Sequence, residues 1–79
     1  MKNQSSARDG YDSYVWYKEA AERGNPYAQF NLAMVYKKGQ GVARDDKLAF
    51  HWMQLAAQQG LVFAQNHLGV MYYNGRGVA

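Results

Sequence analysis

The sequence predicts an all-α fold, an α/α superhelical solenoid of antiparallel helix pairs with about four helices. Two observations lead to this prediction. The chain matches itself after a shift of 36 residues, with 15 of 37 positions identical between Ala7–Ala43 and Ala43–Ala79. Within this repeat, apolar residues recur three and four positions apart, which is the spacing of one helix face. Repeats of this length are typical of stacked helical hairpins.

The repeat divides the chain into four predicted parts. Residues 1–8 form a flexible N-terminal segment and residues 9–24 a leading B-type helix. Residues 25–60 form a first full repeat, and residues 61–79 form a truncated second repeat whose helix is predicted over 62–74. A and B denote the first and second helix of each repeat, which alternate along such an array. The array is therefore expected to lack its last B helix.

Residues typical of helix ends mark the boundaries. Asn25 is a good N-cap, and Pro26 suits the first helical position because its missing donor costs nothing there. Asp45 caps the next helix and complements its dipole. Gly39 and Gly60 stand where helices are predicted to end, since the left-handed conformation of a helix C-terminus favours glycine.

One face of each helix is predicted to be buried. On the first A helix this face is Ala28, Leu32, Val35 and Tyr36, and on the B helix that follows it is Leu48 or Ala49, Trp52, and Leu55 or Ala56. Small residues are expected to let helices approach closely, at Ala33, Ala49, Ala56, Ala57 and Gly69. Aromatic residues are expected to fill the space between successive layers, at Trp16, Tyr36, Trp52 and Tyr72.

At these positions the sequence resembles the Sel-1-like repeat, a relative of the tetratricopeptide repeat. The first copy of the pattern is Ala28, Leu32, Ala33, Tyr36, Gly39, Gly41 and Val42, followed by Asp45, Ala49, Trp52, Ala56, Ala57 and Gly60. The second copy is Ala64, Leu68, Gly69, Tyr72, Gly75, Gly77 and Val78. Ser13, Leu48 and Met53 depart from it. The resemblance covers nearly the whole chain after Ser6, and it implies a tetratricopeptide-like superhelix that scaffolds protein complexes.

The sequence contains no constellation of catalytic, cofactor-binding or metal-binding residues. It has no cysteine, and His51 and His67 have no further ligand at metal-binding spacing. The glycine pairs at 39–41 and 75–77 follow helices rather than strands and lack the Lys-Ser/Thr of a phosphate loop. We therefore expect no enzyme activity, no cofactor and no metal.

A second stripe on the A helices is the predicted partner-binding site. Its aromatic, methionine, lysine and asparagine side chains lie three or four positions apart, as is typical of protein or peptide contacts. The predicted residues are Tyr27, Phe30, Met34, Lys37, Phe63, Asn66, Val70 and Tyr73. The resemblance implies that the A helices line the concave surface of the superhelix. The alternative interpretation is that these side chains pack against adjacent helices.

Other partners remain as alternatives. The net charge of +3 is small, and Asp45 and Asp46 interrupt the basic residues near the loops, so nucleic-acid binding is a second hypothesis. A small inhibitor or immunity-type binder is a third. The uncapped C-terminal end could also pair with another copy in a homo-oligomer.

The expected location follows from what the sequence lacks. Its longest apolar run, Leu32–Tyr36, has five residues, so no membrane span is predicted. No signal peptide is visible at the N-terminus. We therefore expect a cytoplasmic protein, or a periplasmic one if the chain is a fragment of an exported protein.

Overall fold

Four α-helices follow one another along the chain. The structure is a computed structural model that describes the backbone of residues 6–75 and the side chains of residues 12–75. The helices are α1 (Ser6–Glu22), α2 (Pro26–Lys38), α3 (Asp46–Gln58) and α4 (Val62–Asn74). Strands are absent from this described part. The predicted all-α class is confirmed.

The first helix begins earlier than the sequence predicts. Ser6 opens α1, whereas the flexible segment was expected to reach residue 8. Alanine and arginine follow at positions 7 and 8, and both are good helix formers. Residues 1–5 of that expected segment lie outside the described residues, as do residues 76–79 at the end of the second repeat.

The helix ends have the predicted capping residues. The Asn25 side chain accepts a hydrogen bond from the Ala28 N–H at 3.1 Å, and Asp45 accepts one from the Leu48 N–H at 3.0 Å. Gly39 closes α2 in the left-handed conformation at φ 71°. These bonds satisfy backbone groups that have no partner inside the helix.

The helices form two layers. Each helix packs against its neighbours in the sequence, α1 on α2, α2 on α3 and α3 on α4. Three-residue connections at 23–25 and 59–61 make each of those helix pairs a tight hairpin. The rings of Phe30 on α2 and Phe63 on α4 meet, which places the two A helices side by side. The B helices α1 and α3 form the other layer.

The core lies between these layers. Its largest fully buried side chains are Leu32, Met53 and Met71. Small residues let the helices approach closely, as predicted, at Ala33, Ala49 and Ala56, all of which are fully buried. Leu48, the alternative to Ala49 on α3, is exposed. Met53 was not predicted in the core, because it departs from the repeat pattern there.

Two of the four aromatic residues predicted to lie between layers are in fact exposed. Trp16 is 77% exposed and Tyr72 is 55% exposed, whereas Tyr36 is only 8% exposed. Gly69 is also exposed, and a Cβ added to it would meet nothing within 4 Å. The reason is positional: within the described residues, no helix precedes α1 and none follows α4.

Candidate protein-binding surface

Two aromatic side chains at equivalent repeat positions project from the A helices. Tyr27 in the first turn of α2 is 63% exposed, and Phe63 in the first turn of α4 is 62% exposed. α2 has a neighbouring helix on both sides, while α4 has one on a single side. Because the exposure is nevertheless equal, it is a property of this repeat position and not of the end of the array.

A third aromatic residue of the A helices, Phe30 on α2, contacts the projecting ring of Phe63. Its ring centroid lies 6.3 Å from that of Phe63 and 5.2 Å from that of His67, which it meets edge-on. Phe30 is half-buried and packs against the core, and this packing holds its ring in place. We call Tyr27, Phe30, Phe63 and His67 the A-helix surface.

His67 was not among the predicted binding residues. Its Nδ1 lies 3.1 Å from the Phe63 carbonyl oxygen, and it donates a hydrogen bond there in the tautomer that carries the Nδ1 proton. This contact holds the imidazole beside Phe30. The signal for it was present in the sequence, since positions 63, 67 and 70 share one helix face.

The other predicted residues are less closely associated. Asn66, Val70 and Tyr73 are exposed on α4. Met34 is half-buried against the core, so the alternative interpretation, packing inside the superhelix, applies to it. Lys37 is half-buried in the last turn of α2. Of the predicted set, Phe30 and Phe63 are the pair whose rings meet.

The A-helix surface contains no carboxylate, lysine or arginine side chain. α4 contains no aspartate, glutamate, lysine or arginine, and the charged residues of α2 are Lys37 and Lys38 in its last turn. Arg44 forms an ion pair with Asp46 at 3.2 Å. Their hydrogen bonds and opposite charges raise the pKa of Arg44. One of the basic residues near the loops is thus paired with a carboxylate.

Features of other site classes are missing from the described residues. Among residues 6–75, no three histidine, cysteine, aspartate or glutamate side chains come together as metal ligands would. In the same part of the chain, every helix is too short or too polar to cross a bilayer. An open depression of about 420 Å³ lies on α1, lined by Asp12, Ser13, Trp16 and Tyr17.

A model of a known protein family matches the chain from residue 5 onward. The family model described as Sel1 repeat matches residues 5–25, 26–61 and 62–79. Comparison with curated proteins gives no match.

Two solved structures are similar to the chain along most of its length. A protective antigen of uropathogenic Escherichia coli with an SLR fold is 41% identical, with a TM-score of 0.89 over 95% of this chain and 16% of that one. A Sel1 repeat protein from Oxalobacter formigenes is 37% identical, with a TM-score of 0.87 over 89% of this chain and 20% of that one. The chain therefore spans about a fifth or less of either protein.

Proposed function

Because this chain belongs to the Sel1 repeat family, whose members are generally protein–protein interaction modules, we propose that it is a non-catalytic adaptor that binds a protein segment on its A-helix surface. The resemblance found in the sequence implied the same family. The observation that carries the proposal is the equal exposure of Tyr27 and Phe63 at equivalent positions of the two A helices, with Phe30 in contact with Phe63.

The A-helix surface suits an apolar partner. Covering a large apolar side chain contributes roughly 1.5–3 kcal/mol, and aromatic rings are common at the centre of protein interfaces. The surface contains no aspartate, glutamate, lysine or arginine, while Lys37 and Lys38 lie at the end of α2. We therefore propose a partner segment with apolar or aromatic side chains for the rings and a carboxylate for the lysines.

The experiment begins with random peptides displayed on phage and selected against the chain. Selected peptides are synthesised, and their affinities are measured for wild type and for the Tyr27→Ser/Phe63→Ser double variant. Two lost apolar contacts should weaken binding at least about tenfold, since about 1.4 kcal/mol corresponds to that factor. Leu48→Ser is the matched control, because Leu48 is an exposed apolar residue on α3 and its loss should leave affinity unchanged.

Two results would contradict this proposal. One is a double variant that remains folded by circular dichroism and binds the selected peptides as tightly as wild type. The other is binding of a single-stranded oligonucleotide that weakens steeply with added salt, because phosphate contacts release counterions. That second result would favour the nucleic-acid hypothesis. Peptide affinity should instead fall only modestly with salt, since the uncharged rings supply most of the contact and salt screens only the pairing of the carboxylate with the lysines.

A further inference from the structure

Equivalent positions of the two A helices differ in burial on one side. Positions of α2 on the side of α3 are buried, while their counterparts on α4 are exposed or half-buried. Positions on the side of the preceding helix are buried in both, as Ala28 and Ala64 are. α4 thus has an uncovered side, which we call the C-end surface. Leu68 and Gly69 form it, and Gln65 and Tyr72, which also contact α3, border it.

The helix α1 is uncovered on the opposite side. Ser13 is exposed whereas its counterpart Ala49 is fully buried, and Trp16 is far more exposed than its half-buried counterpart Trp52. The depression of about 420 Å³ lies along this side of α1. We call it the N-end surface, formed by Ser13, Trp16, Tyr17 and Ala20.

Successive helices stack with the same geometry in both repeats. An edge-on ring contact recurs with centroid distances of 5.8 and 5.4 Å, and a glutamine-to-carbonyl hydrogen bond measures 3.2 Å each time. The ring pairs are Tyr14 with Tyr36 and Phe50 with Tyr72, and the hydrogen bonds run from Gln29 to Ala21 and from Gln65 to Ala57. The C-end surface therefore corresponds to the side of α2 that α3 covers, and the N-end surface corresponds to the side of α3 that α2 covers.

We propose that the chain associates head to tail with a second copy of itself, with α1 of one copy docking on α4 of the next as α3 docks on α2. This contact would continue an interface that the structure already contains, the one between α2 and α3. These residues differ from the A-helix surface, so self-association leaves Tyr27, Phe30 and Phe63 available to another partner.

The chemistry of the two surfaces is compatible with this docking. α4 has no acidic or basic residue apart from His67, so no like charges oppose α1. Inside the chain, Gln59 Nε2 donates a hydrogen bond to the Gln29 side-chain oxygen at 2.9 Å. Arg23, directly after α1, is the counterpart of Gln59, and its side chain also carries N–H donors.

Head-to-tail docking would give an open-ended assembly. The two surfaces are different, so the contact is heterologous and each docked pair still exposes one surface of each kind. Association should therefore proceed beyond the dimer as concentration rises. A symmetric contact of two α4 helices would stop at the dimer.

Sedimentation velocity over about a hundredfold range of protein concentration tests this proposal. Wild type should show a rising average mass. Gly69→Arg should be monomeric, because an added side chain projects into open space in the single chain but would fill the space that a docked α1 needs. Ser13→Arg should be monomeric for the same reason on α1. Tyr27→Arg, placed on the A-helix surface, is the control and should associate as wild type does.

Mixing the two blocked variants gives the decisive measurement. Each keeps one intact surface, so the mixture of Gly69→Arg and Ser13→Arg should form a one-to-one dimer and nothing larger. Circular dichroism checks that each variant is folded. A monomeric wild type at every concentration would overturn the proposal, as would Ser13→Arg that still dimerises alone or a mixture that stays monomeric.

Discussion

The ring of Tyr36 meets the ring of Tyr14 edge-on at a centroid distance of 5.8 Å, and the Tyr36 hydroxyl donates a hydrogen bond to the Tyr14 oxygen at 3.2 Å. One repeat later, Phe50 and Tyr72 form the same ring contact at 5.4 Å, but Phe50 has no hydroxyl. The ring contact therefore belongs to the repeat, whereas the hydrogen bond is particular to α1 and α2.

Replacing Tyr14 with phenylalanine should separate these two contributions. Phe50 occupies the equivalent position, so a phenyl ring fits and the edge-on contact is kept. The buried Tyr36 hydroxyl loses its acceptor, and we expect the free energy of unfolding to fall by about 1 kcal/mol. Urea denaturation measures the change. Tyr27→Phe removes a hydroxyl from an exposed ring and should change stability by less than about 0.5 kcal/mol; equal effects of the two variants would contradict the assignment.

Stability should also depend on alkaline pH through Tyr36. Burial is the largest cause that raises the pKa of its phenol, followed by the hydrogen bond to Tyr14 and the negative charges of Asp45 and Glu22. The folded chain therefore keeps a proton that the unfolded chain loses above about pH 10. This contribution to stability is complete below that pH, and it is lost as the pH rises toward the higher folded pKa.

The pH effect is measured by urea denaturation between about pH 8 and pH 11. Wild type should lose stability toward the upper end of this range, and Tyr36→Phe should lose less, because it has no phenol to ionise at that position. Tyr73→Phe is the control, since Tyr73 is exposed, and it should follow wild type. A Tyr36→Phe curve parallel to that of wild type would show that this phenol is not the cause.

The sequence predicted the helices well because the signals for them are local. Asn25 and Asp45 cap helices by bonds to residues three positions away, and α4 occupies the predicted residues 62–74. Such bonds depend on the chain beside them and not on distant contacts. The repeat then fixed which helices are equivalent, since equivalent residues must make equivalent contacts.

The burial of individual side chains was harder to predict, because it depends on which helices are neighbours. Tyr36 and Tyr72 are identical in the repeat pattern, yet one is buried and the other exposed. The pattern reflects where a residue lies within its repeat, whereas burial depends on where that repeat lies in the array. His67 shares a helix face with the predicted residues of α4, but its contact with Phe30 could not be predicted, because it joins two helices that are not consecutive in the sequence.

The two equivalent leucines should therefore differ in their contribution to stability. Leu32 is fully buried between neighbouring helices, while Leu68 is half-buried on α4. Leu32→Ala should cost about 2–5 kcal/mol and Leu68→Ala about half of that or less, because the cost grows with the cavity left behind. Urea denaturation at low protein concentration and low temperature compares them. Equal losses would mean that α4 is covered as completely as α2.

Two glycines should respond to alanine with opposite signs. Gly69 lies inside α4 with open space around its missing Cβ, so alanine there should raise the free energy of unfolding by about 1 kcal/mol through its better helix propensity. Gly39 has a φ of 71°, and a Cβ there would lie 3.2 Å from the Cβ of Arg44 and 3.3 Å from its backbone nitrogen. Alanine at Gly39 should therefore cost about 1–2 kcal/mol. Thermal unfolding of both variants against wild type measures the difference. A loss of stability in Gly69→Ala, measured where the chain is monomeric, would contradict an uncovered α4, because only a covering neighbour could make an added methyl group unfavourable there.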